Sequence, residues 1–225
     1  MKLKNQQSPG QNKNKTDRGI LDLQGFLLAY PGMTISPSLG AEYIVQGSLS
    51  FSAKFENNDR ITDSYRLKII IPSGYPKKLP VVREIGNRIP REREHHIMND
   101  GSLCLGSPLR LLQKIAKHPS LSGVAENCII PYLYSNSHKQ KYGYYPFSEL
   151  EHDSLGEIKD YVDLLGLDTV EQAQYAIKLL GMKKRIANKK LCPCGCNIRT
   201  GRCKFNYVLR DFRRLAERSW FRSLI

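Results

Sequence analysis

Arg66-Leu67-Lys68-Ile69-Ile70-Ile71-Pro72-Ser73-Gly74-Tyr75-Pro76 decides the fold class of this 225-residue chain. An apolar run rich in β-branched side chains ends abruptly at Pro72 and a Ser-Gly pair. It therefore reads as a strand from Ser64 to Ile71 that runs into a proline-bounded turn. Upstream, Tyr43 to Phe55 alternates apolar and polar residues in its second half, the pattern of a half-buried strand. Asn57-Asn58-Asp59 supplies turn chemistry between the two. Pro80 to Ile85 follows closely as a third strand. Such short gaps favour an antiparallel meander.

The flanks read as helices, so the expected class is α+β: an antiparallel β-meander packed on helices, with a small C-terminal helical appendage. Ile20 to Ala29 forms a short helix stopped by Pro31-Gly32. Ser107-Pro108 suits a helix start, with Leu109, Leu112 and Ile115 at helical spacing. Val124 to Tyr134 is a second apolar helix that Pro131 bends or ends. Glu157 to Leu165 is amphipathic and closes at Gly166, and Thr169 to Asn188 is a helix capped by Thr169 or Asp168.

Charge divides the chain into three. Residues 1–18 carry five Lys/Arg against one Asp, a net +4, and read as a basic disordered tail. Residues 167–225 carry fourteen against four, a net +10, which leaves residues 19–166 neutral within the total of +14. Basic ends favour nucleic acid or an acidic protein surface, or serve as a solubilising tail and a solvated helix face. No apolar run approaches the ~20 residues of a membrane-spanning helix. The polar N-terminus has no apolar core of a secretory signal. The expected compartment is the cytoplasm, where clustered cysteines read as metal ligands and a lone one as structural or catalytic.

His96-Ile97-Met98-Asn99-Asp100-Gly101-Ser102-Leu103-Cys104-Leu105 sets one cysteine just past a tight polar turn. Thioester transfer needs a reachable sulfur and a donor aimed at the oxyanion of the tetrahedral intermediate. Together with Tyr75-Pro76, this stretch resembles the core of ubiquitin-conjugating enzymes: a Tyr-Pro turn, a proline-rich segment, a histidine, an Asp-Gly turn and an acceptor cysteine. Glu94-His95-His96 stand where the eukaryotic His-Pro-Asn motif lies, and the Asn is absent. Bacterial relatives, with a His, an Asp-Gly turn and Leu-Cys, resemble the chain more closely. The resemblance spans about residues 40–166. It implies a conjugating-like domain over 19–166, Cys104 as nucleophile, and His96 as oxyanion donor or proton relay. His152 resembles a second histidine of some bacterial members. Cys128, inside Ala125 to Ile130, reads as core, and His95 and His118 as solvated.

Cys192-Pro193-Cys194-Gly195-Cys196 and Cys203 crowd four thiols into twelve positions. Four thiolates suit tetrahedral zinc, and the Pro and Gly let a loop converge on it. Residues 190–206 resemble a SEC-C zinc motif through Cys192, Cys194 and Cys203. Lys204 stands at that family's usual fourth ligand, so Cys196 takes the place. Four ligands imply structural zinc with no open position for a substrate. Tyr207 to Leu224 then reads as a basic amphipathic helix. Its Arg210, Arg213, Arg214, Arg218 and Arg222 alternate with apolar Leu209, Phe212, Leu215 and Phe221. Phosphate contact and a protein-facing role both fit it.

Bacterial proteins of this kind occur in antiviral operons beside a cGAS-like nucleotidyltransferase. The resemblance thus implies an acyl (thioester) transferase that joins the C-terminal glycine of such a partner to a target, with activation by a separate enzyme or by the chain acting on its partner alone. A conjugating enzyme for a bacterial ubiquitin-like protein is the alternative. A non-enzymatic nucleic-acid-binding zinc protein is a second alternative, argued from the basic ends.

Overall fold

The computed structural model describes residues 21–38, 40–91, 95–146 and 154–224. The expectations for the 1–18 tail, Glu94 and His152 lie outside the described residues. The alternation of the two long apolar segments becomes a strand pair, β2 (Tyr43–Ala53) and β3 (Ile61–Ile71), antiparallel from Tyr43↔Ile71 to Ala53↔Ile61. The anticipated third strand is β4 (Val81–Glu84), paired with β3. A strand not anticipated, β1 (Met33–Ser36), flanks β2, giving a four-stranded antiparallel sheet in the order β1-β2-β3-β4. Val45, Leu49, Phe51, Tyr65, Leu67, Ile69 and Ile71 point inward and are buried. The opposite face carries Ser48, Ser50, Ser52, Thr62 and Arg66, exposed, with cross-strand Ser50–Ser64 and Thr62–Ser52 hydroxyl bonds at 3.1 and 2.9 Å. Gly47 has φ 142°, and a Cβ there would stand 2.1 Å from the Gly32 carbonyl oxygen, so only glycine lets the chain pass so close.

Helix α1 (Leu23–Ala29) is capped by Asp22, whose carboxylate accepts the Gly25 N–H, and it buries Phe26. Helix α2 (Pro108–Lys117) begins as expected, with Ser107 as N-cap and Pro108 in its first turn. A short α3 (Leu121–Val124), a π-turn over Ala125–Ile129 and α4 (Ile130–Tyr142) then run on continuously. Pro131 therefore opens α4 instead of ending a helix near Tyr134. The Asn127 carbonyl, which an N–H at position 131 would have used, accepts from Lys114 Nζ at 3.3 Å. Gly143, at φ 85°, closes α4.

Helix α5 (Ser154–Leu165) ends at Gly166, φ 64°, as expected. The single helix expected over 169–188 is divided into α6 (Val170–Gly181) and α7 (Lys184–Ala187), with extended backbone at Met182. Thr169 caps α6 in a full capping box with Gln172. At this end of α6 the chain is crossed by α9 (Arg218–Arg222), and a Cβ on Gly181 would lie 2.7 Å from Arg222 Cγ. The helix expected over 207–224 is likewise two, α8 (Phe205–Leu215) and α9, separated by extended Ala216. Its apolar face does not await a partner, since Leu209, Phe212 and Phe221 are buried within this chain.

Two apolar clusters result. One joins the sheet to α1, α3, the π-turn and α4; the other gathers Tyr161, Leu165, Ala176, Leu180, Leu209 and Phe221. Helix α2 belongs to both, with Ile115 in the first and Leu109 and Leu112 in the second. No helix among the described residues is long and apolar enough to cross a membrane.

Candidate functional site

The polar turn before Cys104 folds into a miniature hairpin. Ile97 and Leu103 form an antiparallel bridge, the Met98 N–H donates to the Ser102 carbonyl, and the Gly101 N–H donates to the Met98 carbonyl, both at 2.8 Å. Gly101 takes φ 78°, with open space where a Cβ would stand. Asp100 holds the turn by accepting the backbone N–H and the hydroxyl of Ser102, at 3.0 and 2.5 Å. Arg83 of β4 reaches the same carboxylate at 3.2 Å. These bonds to Ser102, and then Arg83, hold the Asp100 carboxyl below the usual carboxylate range. The Leu103 N–H donates to the Val82 carbonyl at 2.8 Å, which docks the hairpin beside β4.

Cys104 follows directly and is half-buried, with a free thiol. Gly106, at φ 130°, then turns the chain into Ser107 and α2. Burial pushes the Cys104 thiol up, the Gly106 N–H directed at the sulfur works the other way, and the nearby Glu157 carboxylate raises it further. The sulfur is thus a thiol at neutral pH, and its thiolate, once formed, is an intrinsically strong nucleophile. Glu157, on α5, is itself pushed up by partial burial of its carboxyl and by neighbouring Asp160.

His96 meets Cys104 through its backbone: the Cys104 N–H donates to the His96 carbonyl at 2.8 Å. Its φ is 54°, and its imidazole lies edge-on to the Tyr145 ring with centroids 5.6 Å apart. His95, expected to be solvated, is instead buried, with Nδ1 3.3 Å from Asn136 Oδ1. The Tyr132 hydroxyl donates to the His95 carbonyl at 2.7 Å, so two residues one turn apart on α4 clamp the segment before the hairpin. Burial, first of several causes, pushes the Tyr132 phenol up, and Cys104 is among the neighbouring groups that raise it. His118 is exposed and Cys128 buried, as expected.

Behind the cysteine lies a buried carboxylate that the sequence did not disclose. Asp160 on α5 accepts the Ser107 hydroxyl and a bidentate pair from Arg110 on α2, with Nε at 2.8 and 3.0 Å from its oxygens. Ser107 is also the N-cap that accepts the Arg110 N–H at 3.3 Å. One charge-assisted cluster therefore anchors the end of the Cys104 segment, the start of α2 and the middle of α5.

The second constellation is the cysteine clip. The Leu191↔Arg199 bridge and the Cys192 N–H donating to the Ile198 carbonyl at 2.9 Å form its hairpin. Gly195, at φ 79°, and Asn197, at φ 56°, make its tight turns. The sulfurs of Cys192, Cys194, Cys196 and Cys203 lie within 4.8 Å of one another, with no disulfide. Neighbouring sulfurs are 3.2 Å (Cys192–Cys194), 3.6 Å (Cys194–Cys203) and 3.6 Å (Cys196–Cys203) apart. A tetrahedral site with metal–sulfur distances of about 2.3 Å has sulfur–sulfur edges of about 3.8 Å. The four thiols can therefore hold one metal ion.

Each sulfur also faces the backbone N–H two residues on: Cys194 for Cys192, Cys196 for Cys194, Ile198 for Cys196 and, at 3.4 Å, Phe205 for Cys203. Such donors orient and stabilise thiolate ligands. Burial pushes the Cys192 thiol up. At Cys194 burial acts in the same sense, but bonds from the Cys192 thiol and the Cys196 N–H outweigh it and bring the thiol down to about 7.

No family model matches this chain, and neither does a curated protein or a solved structure.

Proposed function

We propose that the chain is a ubiquitin-conjugating-like acyl transferase that carries a thioester on Cys104. The observation that carries this reading is the setting of Cys104. It leaves a hydrogen-bonded hairpin beside the last strand of an antiparallel meander, half-exposed, and is followed at once by a capped helix. That is the order of elements found around the acceptor cysteine in the family the sequence resembles. The donor is the C-terminal glycine of a partner, a cGAS-like nucleotidyltransferase first and a ubiquitin-like protein second. A separate activating enzyme supplies it as an acyl adenylate formed from ATP.

In the first step Cys104 Sγ attacks the glycine acyl carbon and loses its proton to a base, for which His96 is the proposed group. The tetrahedral oxyanion collapses, the C–S bond remains and AMP leaves. A target amine then attacks the thioester carbon, an amide forms, and the C–S bond breaks to return the thiol. The clip is read as structural zinc on Cys192, Cys194, Cys196 and Cys203, whose four thiolates leave no position for a substrate. Metal bound there would fix the loop that precedes α8.

Non-reducing electrophoresis of the chain with a glycine-ended partner, its activating enzyme and ATP tests the reading. A reductant-sensitive adduct is expected with Cys104 intact, and Cys104→Ser should give a reductant-resistant oxyester. An adduct that persists in Cys104→Ala refutes the proposal. His96→Ala should slow transfer about 100- to 10,000-fold, the contribution of a positioned general base, while leaving the helical content unchanged.

A further inference from the structure

Around the cysteine clip the chain carries a positive surface that the transferase reading does not use. Residues 172–210 contain no Asp or Glu, yet they hold ten Lys and Arg. The fold brings several of these into adjacent segments. The Thr200 N–H donates to the Lys190 carbonyl at 2.8 Å and the Gly201 N–H to the Asn188 carbonyl at 3.1 Å, so the segments entering and leaving the clip lie side by side. Lys189 and Lys190 thereby neighbour Arg199 and Arg202, with Lys184 at the start of α7 and Lys204 just before α8. All six are exposed, and none makes an ion pair among the described residues. Four thiolates and one divalent cation would leave the clip two charges negative, far fewer than the cations in this run.

We infer that this face is a binding surface for the phosphodiester backbone of nucleic acid, read without sequence preference. Three features favour phosphate over an acidic protein. Four of the six cations are lysines, which protein interfaces avoid but which serve phosphate as point charges. The cations are unpaired and spread over three short segments, which suits a line of evenly spaced charges better than a single carboxylate. Tyr207, 59% exposed, presents its ring on α8 with the Arg210 guanidinium 4.7 Å from its centroid, a surface on which a base can stack. Leu191 and Ile198, 57% and 46% exposed on the clip hairpin, add apolar contact for sugar or base.

The test is fluorescence anisotropy of the full, metal-loaded chain with a labelled single-stranded RNA and a DNA duplex across a salt series. Contact with four phosphates predicts that affinity falls about 50-fold for a single strand, or about 150-fold for a duplex, between about 50 and 200 mM salt. The variant Lys189→Gln, Lys190→Gln, Arg199→Gln, Arg202→Gln should bind at least about tenfold more weakly, with its log–log salt slope flatter by about 2 to 3. The clip hairpin bonds described above are backbone bonds, so metal content and circular dichroism should not change. A control variant, Lys2→Gln, Lys4→Gln, Lys13→Gln, Lys15→Gln, should retain most of the binding. The inference is overturned if wild type does not bind at about 50 mM salt, if the tail variant alone loses binding, or if polyglutamate or anionic lipid vesicles bind as tightly as nucleic acid.

Discussion

Arg110→Ala should destabilise the protein more than Asp160→Ala, although both break the same pair. The Asp160 side chain is 2% exposed, while that of Arg110 is 38% exposed. Removing Arg110 strands a carboxylate in the interior with the Ser107 hydroxyl as its remaining side-chain donor. Stranding one member of a buried pair costs about 3–5 kcal/mol, and the surviving Ser107 bond puts the expected loss at about 3–4 kcal/mol. Removing Asp160 leaves a guanidinium that can turn to water, so the ion-pair contribution must be discounted for solvent screening. The expected loss is then about 1–2 kcal/mol, chiefly packing and the lost acceptor for Ser107. In the double variant no stranded charge remains, and it should resemble Asp160→Ala, a coupling of about 3–4 kcal/mol. Urea unfolding of the four proteins measures this cycle. Because Ser107 ends the Cys104 segment, alkylation of Cys104 should quicken several-fold in Arg110→Ala under native conditions. Equal losses for the two single variants, or a double variant as unstable as their sum, would refute the asymmetry and with it the role of Asp160 as a buried anchor.

Elemental analysis should find one zinc per chain, and Cys203→Ser should abolish it. Since ligand thiols must lose their protons, affinity should fall steeply as pH drops below neutral; a pH-independent affinity would contradict the thiolate site. Cys104 alkylation should keep rising past about pH 9, where an ordinary thiol levels off, because burial and Glu157 favour the neutral form. Glu157→Gln removes the negative neighbour, so labelling at pH 8 should become faster, and a slower rate would exclude the contact. Gly47→Ala should cost about 2–4 kcal/mol by thermal or urea unfolding, since its Cβ would meet the Gly32 carbonyl at 2.1 Å and its φ is 142°. A neutral effect would mean that the β1–β2 approach is looser than described.

Local chemistry made much of this fold legible. The β2–β3 pair follows from alternation and a turn, α2 from Ser107-Pro108, and the end of α5 from Gly166, because each signal acts within a few residues. The four clip thiols were legible for the same reason. What escaped depends on distant parts of the chain. Strand β1 is four residues long and exists because Gly32 and Gly47 let it lie against β2. The helix expected over 169–188 breaks where α9 crosses Gly181, thirty-seven residues away in sequence from Arg218. Around Cys104, the turn announced the cysteine, but the His95–Asn136 pair joins residues 41 apart and the Arg110–Asp160 pair joins residues 50 apart. A buried polar residue looks like any surface one until its partner is known, and for this reason His95 read as solvated.

The position of α2 ties the two constellations together. Its first turn begins four residues after Cys104, and its Leu109 and Leu112 are buried in the cluster that also holds Leu209, Phe212 and Phe221. Helix α8, in turn, starts where the Phe205 N–H meets the Cys203 sulfur. A route of packed side chains therefore runs from the clip through α8 to the helix behind the cysteine. How much travels along it depends on which bonds are stronger. The clip bears on α8 through its first turn, whereas burying its Leu209 and Phe212 contributes about 1.5–3 kcal/mol each. Loss of metal should thus loosen residues 189–203 and fray the start of α8 without lifting it from α2. The basic face, built on those same loosened residues, is the element that the metal governs directly, and the setting of Cys104 is the element that the apolar core protects.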